Sequence, residues 1–179
     1  MKASNSGYTM SCIMCGKVND ERETSTYCTK CGGVLDIEYK EAREEIQYPL
    51  KEIKPDPLKH HFTPLKKLNR LSERYDAELY GKLEFEHPTG CFKDRGSYIE
   101  VQKALELEAD AICLASTGNM AASVAAYACY FKIPCFVFVP EKTPEVKLAQ
   151  ATIYDATIIK IKGDFMVCEK LCRGVCQIG

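Results

Sequence analysis

The residues best suited to chemistry sit in two turns. The first is Pro88-Thr89-Gly90-Cys91-Phe92-Lys93-Asp94-Arg95-Gly96, and the second, one predicted strand later, is Ser116-Thr117-Gly118-Asn119. Both are rich in small residues and both run straight into a helical pattern. A lysine amine held at such a turn can form a Schiff base with an aldehyde, provided that partial desolvation keeps a useful fraction neutral. The start of a helix beside it offers unpaired backbone N–H groups to an anion. Lysine is disfavoured at the positive end of a helix dipole, so Lys93 is oddly placed for a purely structural residue, whereas Asp94 is what the dipole prefers. Arg95 either pairs with Asp94 or holds the turn. In the second motif Ser116 and Thr117 supply hydroxyls and Gly118 lets the backbone approach a ligand closely. The plainer alternative is that Ser, Thr and Asn cap the helix.

A second chemical signal lies in the eleven cysteines. Cys12-x2-Cys15 and Cys28-x2-Cys31 form two close pairs at the spacing of a tetrahedral, all-cysteine zinc site. Gly16 and Gly32 each follow the second cysteine of a pair, where a glycine lets the backbone fold tightly and turn its N–H toward a metal-bound sulfur. Four protein ligands fill the coordination sphere, so the site is expected to be structural. Cys113, Cys129 and Cys135 lie in apolar runs and are expected to act as small buried hydrophobes. Cys168, Cys172 and Cys176 recur every fourth residue and mark one side of a helix, a core face rather than a metal site.

The elements that must position these groups follow from periodicity. Residues 1–40 read as a self-contained ribbon of short strands around the cysteine pairs. Residues 41–64, with Pro49, Pro55, Pro57 and Pro64, read as an extended connector. From residue 65 helix and strand alternate. Helices are predicted over residues 66–76, 95–108, 119–130, 144–154 and 165–176, and strands over 78–85, 111–115, 135–139 and 157–161. Three successive strand-plus-helix units with short links and near-continuously apolar strands imply a parallel sheet covered on both faces. His60, His61 and His87 are expected to be solvated loop residues.

Composition narrows the function classes. At 179 residues, with 46% hydrophobic and 27% charged residues, the chain is that of a soluble globular protein. A formal charge of −1 gives no argument for nucleic acid or an anionic membrane. Residues 1–40 balance five basic against five acidic side chains, so the ribbon shows no nucleic-acid stripe. No apolar run reaches the roughly eighteen residues of a membrane span. Residues 1–10 are polar, unlike a signal peptide, and the expected location is cytoplasmic.

Taken together, the lysine turn and the Ser-Thr-Gly-Asn turn resemble the cofactor lysine and substrate-carboxylate loop of the β-family of pyridoxal phosphate enzymes (fold type II). The ribbon, ending in Cys31-Gly32-Gly33-Val34-Leu35-Asp36-Ile37-Glu38-Tyr39, and the segment Phe62-Thr63-Pro64-Leu65 look like its threonine synthase branch. The resemblance implies an α/β fold of three-layer units behind a small zinc ribbon. It implies that Lys93 carries pyridoxal 5'-phosphate and moves protons at the substrate. It also implies that Ser116, Thr117, Gly118 and Asn119 hold the substrate carboxylate, with Asn119 also against the ring oxygen of the cofactor. The implied reaction is O-phospho-L-homoserine and water to L-threonine and phosphate, the work of a carbon–oxygen lyase. Sister activities in the family are serine/threonine dehydratase, cysteine synthase and cysteate synthase. The different alternative is a non-catalytic fragment or binding subunit.

Two departures stand out. Cys91 occupies a position where the family has serine, which weakens one hydrogen bond of the turn. The family's glycine-rich phosphate loop has no counterpart, since the glycines here include no Gly-x-Gly run. The expectation is therefore an N-terminal portion of a longer enzyme that is inactive by itself. A homo-oligomer or a partner chain would then complete the domain.

Overall fold

A computed structural model describes residues 7–20, 27–40, 48–56, 58 and 63–176. These fall into two compact units, one within Met1–Lys54 and Gln102–Ala109, the other within Pro55–Val101 and Asp110–Gly179. Among the described residues no helix is long and apolar enough to cross a membrane.

The first unit is built on an antiparallel sheet of β1 (Tyr8–Cys12), β2 (Val18–Asn19) and β3 (Leu35–Tyr39), in the order β2-β1-β3. Tyr8 anchors it. Its ring meets Tyr39 edge-on at 6.3 Å, and its hydroxyl accepts a hydrogen bond from Lys103 Nζ at 2.7 Å. Lys103 also pairs with Glu106 at 2.5 Å. Residues 48–56 carry neither helix nor strand. Their backbone is fastened by side chains instead: the Lys51 N–H donates to Glu106 and the Lys54 N–H to Gln102, both at 2.7 Å.

The second unit opens with a hairpin of β4 (Leu65–Lys67) and β5 (Tyr80–Lys82) that brackets α1 (Asn69–Tyr75), followed by a 3-10 turn at Glu84–Glu86. The expected helix over 66–76 is thus divided. Lys66 and Lys67 pair across to Gly81 and Tyr80, and the helix starts only after Leu68. The expected strand over 78–85 is correspondingly shorter.

Then come α2 (Asp94–Glu106), β6 (Ile112–Ala115), α3 (Asn119–Phe131), β7 (Cys135–Pro140), α4 (Glu145–Ile153), β8 (Thr157–Ile161) and α5 (Phe165–Cys176). The strands β6-β7-β8 form a parallel sheet in sequence order. Both faces are covered, as the apolar strands require. Cys168 and Cys172 of α5 pack on Phe138 together with Cys113, Ala115, Phe136, Ile159 and Ile161. The alternate residues Val137 and Val139 are wholly buried, and α3 packs on β6 and β7 while α4 packs on β8. Removing side chains of that size from water contributes roughly 1.5–3 kcal/mol each. The cysteine stripe of α5 is a core face at both of the positions whose side chains are described.

Helix α3 is unusual in being buried along most of its length, from Ala121 to Ala128. Alanines bring its backbone close to its neighbours. Its one large inner residue, Tyr127, packs at a tilt against Tyr98 of α2, with ring centroids 5.8 Å apart.

Candidate functional site

Lys93 immediately precedes α2, and its carbonyl accepts the N–H groups of Gly96 and Ser97 at 3.0 and 2.9 Å. Gly90 takes a positive φ of 84° in the turn before it, a conformation that favours glycine. The neighbouring Asp94 is fully buried. Its carboxylate accepts the Thr89 N–H at 2.9 Å, the Thr89 hydroxyl, and the Ser123 hydroxyl at 2.6 Å. A buried carboxylate is tolerated only with such donors. Asp94 therefore closes the lysine turn on itself and ties it to α3. From the other side, Gln150 of α4 donates to the Thr89 carbonyl at 3.1 Å.

The second turn joins β6 to α3, with Gly118 as N-cap and no side-chain hydrogen bond from the cap itself. Capping falls to Ser116, whose Oγ accepts the N–H groups of Gly118 and Ala121 at 3.4 and 3.3 Å. Its own hydroxyl hydrogen is left to donate. A side chain built on Gly118 would meet nothing within 4 Å, so open space adjoins the backbone there. Asn119 is exposed while Thr117 and Gly118 are half-buried. The two turns are neighbours through Asp94–Ser123 and through Ser97 Oγ against Met120 Sδ at 3.9 Å. The turn that carries Lys93 and a helix N-terminus flanked by hydroxyls thus adjoin one another. That donor set fits an aldehyde cofactor together with an anionic ligand.

Arg95 does not pair with Asp94. It grips Glu84 through Nε at 3.0 Å and a terminal nitrogen at 2.9 Å, and reaches the Thr63 hydroxyl at 3.2 Å. Thr63 donates to Glu84 at 2.8 Å, and His87 Nε2 lies 3.0 Å from the same carboxylate. The Arg95 guanidinium, with Thr63 and His87, lowers the Glu84 carboxyl to about 2. His87 is consequently buried, with its side chain at 0% exposure, and not the solvated loop residue expected. Its only visible sequence signal was its place three residues after Glu84. His60, His61 and Phe62 lie outside the described residues.

In the ribbon, the sulfurs of Cys12, Cys15, Cys28 and Cys31 all lie within 4.8 Å of one another. Cys12–Cys31 measures 3.5 Å and Cys15–Cys28 3.7 Å. A tetrahedral ion with metal–sulfur bonds of about 2.3 Å places its ligands about 3.8 Å apart, so the four residues fit such an ion. Two matching turns create the cluster: Gly16 N–H bonds to the Cys12 carbonyl and Gly32 N–H to that of Cys28, at 2.9 and 2.8 Å, with φ of 67° and 72°. Burial works to raise the Cys28 thiol, but the backbone N–H groups of Lys30 and Cys31 outweigh it and lower it to about 6. For Cys31 the Gly33 N–H acts to lower the thiol, yet the neighbouring sulfurs dominate and push it to about 12. Four crowded sulfurs cannot all ionise without a cation among them. Gly33 is a contributor that sequence reasoning missed: a Cβ there would stand 2.9 Å from Cys12 Sγ and 2.8 Å from Met14 Cγ.

Similarity to known proteins runs through most of the chain. The sequence profile described as pyridoxal-phosphate dependent enzyme matches residues 58–178. The chain is similar to a threonine synthase of Methanosarcina acetivorans, 36% identical over 95% of this chain and 46% of the relative. It is also similar to one of Bacillus sp. (strain ULM1), 45% identical over 71% of this chain and 37% of the relative. The chain thus spans less than half the length of these curated relatives. Among solved structures, a processed threonine deaminase from Solanum lycopersicum superposes with a TM-score of 0.61 at 23% identity, covering 65% of this chain and 32% of that one. At that identity the likeness concerns the fold alone.

Proposed function

The chain belongs to the pyridoxal-phosphate dependent enzyme family, and from that premise we propose that it supplies the lysine and the carboxylate loop of a threonine synthase-like enzyme. The reaction is O-phospho-L-homoserine and water to L-threonine and phosphate. The observation that carries the reading is the tether of the Lys93 turn to the first turns of α3 through Asp94 and Ser123.

When bound, pyridoxal phosphate supplies the electron sink for breaking bonds at the substrate carbons. Lys93 holds that group and afterwards moves protons with the same amine. Gly118 and the N–H groups at the start of α3 receive the substrate carboxylate, with Ser116 and Thr117 donating hydroxyls, and Asn119 orients the ring oxygen. Asp94 holds the Lys93 turn in place. Cys12, Cys15, Cys28 and Cys31 would hold a structural zinc, which would supply a cross-link between the two cysteine turns of the ribbon. Residues 41–64 connect this module to the lysine-bearing part, residues 65–179.

The test uses the full-length protein that contains this chain. Lys93→Ala should abolish both the visible absorbance of the lysine-bound cofactor and phosphate release from O-phosphohomoserine. Asn119→Ala should keep the absorbance and slow turnover. Retention of the absorbance in Lys93→Ala would assign the cofactor to another lysine. Deamination of threonine without phosphate release would replace the reading by a dehydratase.

A further inference from the structure

One carboxylate oxygen gathers both ends of the lysine turn. Glu84 Oε2 lies 3.0 Å from His87 Nε2 and 3.0 Å from Arg95 Nε. His87 stands just before Pro88 where the turn begins, and Arg95 just after Asp94 where it ends. The other oxygen, Oε1, accepts from an Arg95 terminal nitrogen at 2.9 Å and from the Thr63 hydroxyl at 2.8 Å. An ionised carboxylate can only accept, so His87 carries its hydrogen on Nε2.

Between those ends the backbone advances by short turns. Gly90 N–H reaches the His87 carbonyl at 2.8 Å, Asp94 N–H that of Cys91 at 3.4 Å, and Arg95 N–H that of Phe92 at 3.2 Å. Each of these bonds joins residues three apart and leaves the separation of the two ends free. Two carboxylates supply the longer ties. Asp94 closes the segment on Thr89, and Glu84 closes it one step further out, across His87 and Arg95. Closing a loop at its ends removes most of its freedom to drift. Glu84 is itself anchored, since it begins the 3-10 turn and the preceding Leu83 N–H bonds to the Pro64 carbonyl at 3.0 Å beside the β4–β5 hairpin. A lone exposed ion pair contributes little. This one is forked, and its two further donors come from the buried residues His87 and Thr63.

The geometry points to Glu84 as a positioning residue for Lys93: by joining both ends of the turn on one oxygen and tying them to the hairpin, it sets where the turn presents the lysine amine. This rests on the reading of Lys93 as the cofactor lysine. It gives Arg95 and His87 the shared task of holding the turn, with Glu84 touching neither cofactor nor substrate. A displacement of about 1 Å at a reacting group costs on the order of a hundredfold in rate. A turn released at either end is therefore read as slower capture of an aldehyde.

The test follows capture of added pyridoxal phosphate by the full-length protein after cofactor removal. Borohydride fixes the product at timed intervals, and peptide mass spectrometry measures the fraction modified at Lys93. The temperature is set where circular dichroism shows every variant folded, so that a loss of global stability alone leaves the rate unmoved. Glu84→Gln keeps the size but turns an amide nitrogen toward donors, and should slow capture at Lys93 about ten- to a hundredfold. Arg95→Lys keeps the charge but loses the fork, and should slow capture in the same direction. Val137→Ala opens a cavity in the β7 core away from the turn and should leave the rate unchanged. A Lys93 rate that survives Glu84→Gln overturns the proposal, as does equal slowing in Val137→Ala. If Glu84→Gln does not fold, Arg95→Lys decides, and unchanged capture there overturns it. Wild-type capture at a different lysine refutes the underlying reading instead, and the proposal with it.

Discussion

Ser123 Oγ donates to Asp94 Oδ1 at 2.6 Å inside the protein, joining the residue after Lys93 to the second turn of α3. Both partners are fully buried. The bond transmits position: moving α3 moves the lysine turn. Because Asp94 accepts from a buried hydroxyl, removing that donor leaves a charge less well compensated. Ser123→Ala should cost about 1.5–3 kcal/mol in urea denaturation. Asp94→Ala should cost more, since it strands Thr89 as well. A Ser123→Ala chain as stable as wild type would show that the tether carries no energy.

Gly118 separates function from folding. Its φ of −158° lies outside the left-handed region, and a Cβ there meets nothing within 4 Å. Gly118→Ala should therefore change stability by less than about 0.5 kcal/mol. The methyl group would nonetheless occupy the space assigned to the substrate carboxylate. Steady-state kinetics on the full-length protein should show KM raised about tenfold or more, equivalent to roughly 1.4 kcal/mol. Unchanged KM would remove Gly118 from the substrate site.

The ribbon should bind about one zinc per chain. Chelation should release it and unfold residues 1–40, with the circular dichroism of the α/β part largely kept. Gly33→Ala offers a finer probe, because the added methyl group would press on the sulfur of Cys12. Its zinc affinity, measured by chelator competition, should fall by an order of magnitude or more. A metal-free but ordered ribbon in reducing buffer would contradict the assignment.

Glu84 gives a stability signal in acid. Its carboxyl lies at about 2 instead of 4.5, chiefly through Arg95. A group depressed in the folded state contributes its full stabilisation above its unfolded value. That contribution fades as pH falls through about 4.5 toward 2. The stability gap between wild type and Glu84→Gln should accordingly be widest near neutrality and close across that interval. Urea midpoints against pH would show it; a gap independent of pH would exclude the mechanism.

Much of this architecture was legible because burial on both faces imposes itself on sequence. Strand β8 and helix α5 have the bounds that their apolar periodicity predicted, and the cysteine pairs announced their turns through Gly16 and Gly32. What stayed hidden was pairing across distance. Leu65–Lys67 has no strand alternation of its own and is extended only because Tyr80–Lys82 lies beside it. Arg95 chose Glu84 over its neighbour Asp94 because Thr89 and Ser123 had already claimed that carboxylate. His87 followed Glu84 inward. Lys93 and Ser116–Asn119 were visible as motifs, whereas the Asp94–Ser123 bond that joins their two turns was not.

The alanine-rich wall of α3 has a consequence for sequence drift. Where a helix is buried from Ala121 to Ala128 among close neighbours, even one added methylene must displace the rod. Its leading end is also the end tied to the turn that carries Lys93. A substitution well behind the reacting groups, such as Ala125→Val, would then be felt as a misaligned amine before it was felt as a weakened core. Under the proposed function, variation along this segment is thus constrained by chemistry that none of its inner side chains touches.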